Sequence, residues 1–149
     1  LESQLAYDGN YKAYFEFIAD SLKRYSSQRD KQKGEAFVHG FTLAMTSQNQ
    51  FYRPISELDN DGGYADIFLS PLCDIYKDMV DSYIIELKYC KTNTADEQLQ
   101  VLFKEASAQI CRYANSDIVK ESVKTTKLHK LVVIYRGAEM VMCEEVTEE

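Results

Sequence analysis

Hydrophobic residues along this chain follow two periods, one typical of helices and one typical of strands. Between residues 7 and 25, aromatic and aliphatic side chains recur at steps of three and four, which predicts an amphipathic helix capped near Asp8 or Asn10. The same spacing predicts a helix over 35–46 and a longer helix over 95–114.

Shorter runs between these helices are rich in β-branched and aromatic residues, as strands are. They cover residues 50–57, 64–69, 83–89, 128–137 and 139–146. A proline interrupts the first run, which predicts a strand at the edge of a sheet, because proline cannot donate a ladder hydrogen bond.

The order of the elements predicts how the strands are connected. The second and third strands form the arms of a long hairpin, and the long helix crosses over to a parallel strand with a right-handed connection. The last strand returns antiparallel after a turn at Gly137. We therefore predict a fold of the α/β or α+β class, with a central mixed sheet flanked by helices and an extra helix at the N-terminus.

Two charged residues interrupt the otherwise apolar third strand. Side chains alternate across a strand, so Glu86 and Lys88 share one face while Ile85 and Leu87 share the other. Charges on an apolar strand are costly to bury unless they are paired or hold a metal ion. With Asp66 at the head of the neighbouring strand, these residues mark the place where function is expected.

Two carboxylates and an ammonium group suit the metal-dependent hydrolysis of phosphodiester bonds. Asp66 and Glu86 are hard oxygen donors for Mg²⁺ or Mn²⁺, and Lys88 would orient the attacking water and stabilise negative charge in the transition state. Asp66, Glu86 and Lys88 resemble the signature of the PD-(D/E)XK nuclease superfamily. The surrounding GGYADIFLSP…YIIELKYCK is similar to a bacterial branch found as the C-terminal domain of AAA-ATPase-like proteins of unknown function.

The resemblance implies a restriction-endonuclease-like core and further site residues. Glu35 and His39 match an acid and a histidine on the first core helix, and Glu57 matches an acid that reaches the outer shell of the metal. Gln109 matches a glutamine on the crossover helix, and the carbonyl of Leu87 is available as a third metal ligand. Structural roles also stay open for these side chains. Glu35 would then be a solvated acid at the start of a helix, and His39 a histidine at the edge of the core. The acids near Glu57 would be solvated carboxylates of a turn, and Gln109 a polar residue on the flank of its helix.

The polar stretch SSQRDKQKG predicts a linker after the first helix. We expect residues 1–33 to be an accessory helix and linker at the end of a missing upstream ATPase-like domain, since the chain begins with Leu instead of Met. Residues 34–149 would be the nuclease-like domain. A truncation that begins near residue 33 is then expected to stay folded.

Composition limits the class of protein. The chain has 149 residues, enough for one core without disulfides, and its four cysteines lack the CxxC spacing of a zinc site. Its composition predicts a soluble cytoplasmic protein with no membrane segment, and the resemblance implies a bacterial source.

The net charge of −7 opposes strong binding to nucleic acid, because affinity for a polyanion comes mainly from Lys and Arg. Part of the acid lies in a C-terminal tail. We therefore expect the isolated domain to bind nucleic acid, most readily DNA, only weakly. The acidic composition and the lack of a basic stripe favour the alternative of a non-catalytic binding or interaction module with the same fold. A structural domain with a coincidental Glu-x-Lys is a further alternative.

Overall fold

The computed structural model describes the backbone of residues 1–27, 34–58 and 64–147. Side chains are described for residues 1–27, 34–56 and 67–147. Several parts of the sequence interpretation lie outside the described residues: most of the predicted linker, the acidic loop, the last two acids, and the side chains of Glu57 and Asp66.

The described residues form helices α1 (Glu2–Asp8), α2 (Tyr11–Tyr25), α3 (Glu35–Ser47), α4 (Asp96–Ala114) and α5 (Asp117–Ser122). The strands are β1 (Tyr52–Leu58), β2 (Tyr64–Pro71), β3 (Asp81–Cys90), β4 (Lys127–Arg136) and β5 (Glu139–Glu145). None of the helices in this part of the chain has the length and apolar composition needed to cross a membrane.

The five strands form one mixed sheet in the order β1-β2-β3-β4-β5. β3 and β4 are parallel, and the other neighbouring pairs are antiparallel. Pro54 lies in β1 at the edge of the sheet, where a missing backbone donor is tolerated. The predicted α+β architecture is confirmed, with a mixed sheet, flanking helices and N-terminal helices, and it is consistent with a restriction-endonuclease-like fold.

The sheet has two covered faces, and side-chain alternation along β3 separates them. Tyr83, Ile85 and Leu87 point into a core formed with α1, α2 and α3. Ile84 points the other way, into a cluster that includes Ile110 of α4. We call this second face the α4 face.

The N-terminal helices belong to the same core as the sheet. The single helix predicted over 7–25 is two helices, because Gly9 adopts a left-handed backbone with φ 68° and ends α1. Leu5 of α1 and Phe15, Ile18 and Leu22 of α2 are almost completely buried and pack in the cluster that contains the inner strands. The domain boundary at residue 33 stays a prediction, but these contacts argue that the helices before it are needed for folding.

Hydrogen bonds join α1 to the end of the sheet at which β3 begins. His129 of β4 lies between two carboxylates: its Nε2 is 2.7 Å from Asp81 Oδ1 on β3, and its Nδ1 is 3.0 Å from Glu145 Oε2 on β5. The Tyr83 ring stacks on His129, and its hydroxyl donates a 2.7 Å hydrogen bond to the Leu5 carbonyl of α1. This network fixes the positions of β3, β4, β5 and α1 relative to one another.

Candidate active site

Glu86 and Lys88 form a largely buried ion pair in the second half of β3. Lys88 Nζ lies 3.2 Å from Glu86 Oε1, and the two side chains are 20% and 4% exposed. Both residues lie on the α4 face, since they follow Ile84 at alternate positions, and Val132 of β4 is the strand partner of Glu86. The strand thus buries two opposite charges together, which offsets the cost of removing each from water.

Asp66 lies near the beginning of β2, the antiparallel neighbour of β3. The described pairs match Ile67 with Ile85 and Phe68 with Ile84. The Asp66 side chain lies outside the described residues, so the expected convergence of its carboxylate with Glu86 stays a prediction.

Gln109 lies on the side of α4 that packs against the sheet. The next residue, Ile110, is fully buried with Ile84, and Ala106, one turn earlier, packs with Val132, the strand partner of Glu86. The Oε1 atom of Gln109 is buried and has no hydrogen-bond partner among the residues whose side chains are described. A buried amide oxygen without a donor is costly to a folded protein, which makes this atom a candidate acceptor for a ligand or a water.

The side chains of Glu35 and Leu87 lie away from the α4 face. Glu35 is the first residue of α3, which packs on the face opposite Glu86, and its side chain is exposed. Its neighbour Gly34 lies beside Tyr89, where an added Cβ would be 3.4 Å from the ring. Glu35 is thus close to the end of β3, but the structure does not bring it to the Glu86 pair. The Leu87 side chain is buried in the opposite core.

A comparison with protein-family models gives a match over residues 33–145, described as the PD-(D/E)XK nuclease superfamily. The chain belongs to the PD-(D/E)XK nuclease superfamily. No curated protein and no solved structure gives a significant match. The family match spans α3 to β5 and therefore includes Asp66, Glu86, Lys88 and Gln109.

The superfamily generally uses divalent metal ions, for which carboxylate and amide oxygens are suitable ligands. No group of three or more His, Cys, Asp or Glu that could hold a metal ion occurs among the described side chains, which exclude Asp66. The Glu86 carboxylate and the buried Gln109 Oε1 are both oxygen donors on the α4 face. Oxygen donors suit magnesium and manganese better than zinc or copper.

His39 is buried in α3 and contacts β1. Its Nε2 lies 3.0 Å from Ser56 Oγ, on the sheet face opposite Glu86. Burial lowers the pKa of His39 below its ordinary value, because the interior disfavours the charged imidazolium. The geometry supports a structural role for His39 in joining α3 to the sheet edge.

The lowered pKa of His39 predicts a pH-dependent stability. Below about pH 6.5 the unfolded chain binds a proton at this residue more readily than the folded chain, so the free energy of unfolding should fall as the pH decreases towards the folded pKa. Urea unfolding from pH 8 to pH 5 should show a steeper loss for the natural chain than for His39→Asn. Equal slopes in the two proteins would contradict the prediction.

A local excess of positive charge escaped the interpretation of the sequence. Residues 104–136 contain seven Lys or Arg against three Asp or Glu, a net charge of +4 in a chain whose total is −7. The total conceals this segment, which forms most of α4, all of α5 and β4. A count of charge by segment would have revealed it.

Proposed function

We propose that this nuclease-like domain hydrolyses phosphodiester bonds of nucleic acid, most readily DNA, with the help of magnesium or manganese. The observation that carries the proposal is the buried contact of Glu86 with Lys88. A carboxylate and an ammonium group held on an apolar strand have a high cost of desolvation, which a catalytic role accounts for. Membership of the nuclease superfamily supports the same chemistry.

In this proposal each residue has one task. Asp66, Glu86 and the carbonyl of Leu87 would hold the metal ion, which when bound would polarise the phosphoryl group and lower the pKa of a bound water. Lys88, whose Nζ is 3.2 Å from the Glu86 carboxylate, would orient the attacking water and stabilise charge on the phosphoryl oxygens. Gln109 Oε1 would accept a hydrogen bond from that water.

Glu35 would have a weaker, assisting role. Its carboxylate is exposed near the end of β3, in the helix that packs on the face opposite Glu86, so it would not hold the metal directly. Replacing Glu35 should therefore have a smaller effect on cleavage than replacing Glu86.

The first test is metal binding and cleavage by the purified chain. A metal ion that binds only the folded state raises the melting temperature. Titration with magnesium or manganese should therefore raise the melting temperature of the natural chain and leave that of Glu86→Ala unchanged. Labelled single-stranded and duplex DNA and RNA should be cleaved in either metal and remain intact in excess chelator. A natural chain that neither gains stability nor cleaves any of these substrates would refute the proposal.

Gln109 offers a test that separates function from folding. Gln109→Met has a similar length and removes the buried oxygen without a partner, which costs a folded protein about 1–3 kcal/mol. We therefore expect an unchanged or higher Tm together with slower cleavage, a combination that a merely structural glutamine would not give. Loss of stability with normal cleavage would show that Gln109 serves the fold.

The broader setting follows from the sequence resemblance. We infer that the domain is the C-terminal part of a larger ATPase-like protein of the bacterial cytoplasm, with the ATPase-like domain as a partner. The similarity of GGYADIFLSP…YIIELKYCK to that branch supports this, and the four free cysteines suit a reducing compartment. The coding sequence upstream of residue 1 tests it directly.

A non-catalytic interaction module is the second candidate. The net charge of −7 favours it, since an acidic domain attracts nucleic acid weakly. The two candidates differ in cleavage: a module would cleave no nucleic acid in any metal, and it would bind its partner equally well after Glu86→Ala.

A further inference from the structure

Exposed cations collect on the α4 face, at the end of β2 remote from Asp66. Arg53 of β1 points to this face, because it lies two residues from Ile55, which packs with Phe68. Lys120 follows Val119, the residue of α5 that is buried against Phe68. α5 therefore lies over β2, and Lys120 is exposed above it.

Two further cations extend this group. Lys124 lines a cavity of about 210 Å³ with residues 71–75, just beyond β2. Arg112 of α4 follows Gln109 by three residues, which places both on the same side of that helix, one turn apart. We call Arg53, Arg112, Lys120 and Lys124 the basic edge.

The residues of the basic edge are available to a partner. All four are exposed, and none forms an ion pair with another residue that the structure describes. Other cations of the protein, such as Lys12 and Lys23, are paired with carboxylates of β5. The basic edge therefore presents four positive charges that are unpaired among the described residues of a chain with net charge −7.

We propose that the basic edge binds the phosphate backbone of the nucleic acid whose cleavage is proposed above. Arg53 pairs with Ser70, and Ser70 is four positions beyond Asp66 on β2, so the basic edge begins about 13 Å from the candidate site. That distance corresponds to about four nucleotide steps along one strand of a duplex. The flank of the substrate, not the bond that is cleaved, makes these contacts.

This inference rests on the proposed function and also explains how an acidic domain reaches a polyanion. Repulsion from the acidic remainder of the chain would orient the nucleic acid so that it approaches along the α4 face. Contacts to phosphate carry no sequence information, so the basic edge adds affinity without adding sequence specificity.

Binding measured without metal tests the basic edge separately from cleavage. Fluorescence anisotropy in chelator, with a labelled duplex of about 20 base pairs, should show weaker binding for the double variant Lys120→Gln, Lys124→Gln. At ~0.15 M salt the affinity should fall by about fivefold for each phosphate that the variant no longer neutralises. The slope of log K against log salt should become less steep by about 2.

The matched control removes the same charge from the other side of the molecule. Lys12→Gln, Arg24→Gln changes two exposed cations of α2, which packs on the opposite face, and should leave binding of the duplex nearly unchanged. Equal weakening in both double variants would show that only net charge matters. That result would overturn the proposal. So would unchanged binding in both double variants, or no binding of the duplex by the natural chain. In a parallel measurement, stronger binding to vesicles of anionic lipid than to the duplex would overturn it as well.

The two proposals can fail independently. The Lys120→Gln, Lys124→Gln variant could keep full metal-dependent cleavage and unchanged binding. That result would refute phosphate binding by the basic edge without contradicting the proposed nuclease function. Binding that depends on the basic edge, without cleavage in any metal, would support the surface and refute the catalytic role of Glu86.

Discussion

Glu86→Ala and Lys88→Ala are each expected to lower metal-dependent cleavage at least about 100-fold, the size of effect seen when one charge-stabilising group is removed from an active site. Glu86→Ala removes a ligand of the metal, and Lys88→Ala removes the group that orients water and balances charge. Initial rates of cleavage at saturating metal, measured for the natural chain and both variants, test this expectation.

The two variants should differ in how they bind the metal. Glu86→Ala should weaken the affinity for magnesium or manganese, because a carboxylate ligand is removed. Lys88→Ala should preserve or increase it, because an ammonium 3.2 Å from that carboxylate repels a cation in the same place. Calorimetric titration with manganese separates the two cases.

Folding must be checked in both variants, because each breaks a buried ion pair. Removing one partner leaves an uncompensated charge, at a cost of about 3–5 kcal/mol. Glu86→Gln keeps the shape of the side chain and should abolish cleavage with a smaller loss of stability. Lys91→Ala, an exposed lysine just after β3, is the control and should behave as the natural chain does. Cleavage that persists in Glu86→Ala or in excess chelator would come from a contaminating nuclease.

Deletion of residues 1–33 is expected to abolish cooperative unfolding, although the sequence alone suggests that the remainder folds independently. Leu5, Phe15, Ile18 and Leu22 are each at most 2% exposed. Burial of four such side chains contributes about 6–12 kcal/mol, which equals the whole stability of many domains. The deletion would also remove the carbonyl that accepts the hydrogen bond of the Tyr83 hydroxyl. Thermal melting followed by circular dichroism tests this expectation.

Two phenylalanines of α2 provide a matched pair for the same question. Phe15 is 2% exposed and Phe17 is 49% exposed. Phe15→Ala should cost about 3–5 kcal/mol of stability, whereas Phe17→Ala should change it by less than about 0.5 kcal/mol. A truncated chain that melts cooperatively near the natural Tm would show instead that α1 and α2 are accessory.

Local periodicity predicted most of the secondary structure. The strand predicted over 83–89 is Asp81–Cys90, and the helix predicted over 95–114 is Asp96–Ala114. The antiparallel hairpin and the parallel crossover also follow from element order. The common face of Glu86 and Lys88 follows from strand alternation alone, because backbone geometry fixes it within three residues. α5 escaped prediction, since six residues carry too little periodicity.

The tertiary structure decided what depends on contacts between distant segments. It joined Asp81, His129 and Glu145 from three strands, and it gathered the basic edge from a strand, two helices and the loop after α5, although no short stretch of sequence contains either group. It also placed α1 and α2 in the main core, where the sequence indicated an accessory helix. An amphipathic pattern shows that a helix buries one face, but the partner of that face is determined by the packing of the whole chain.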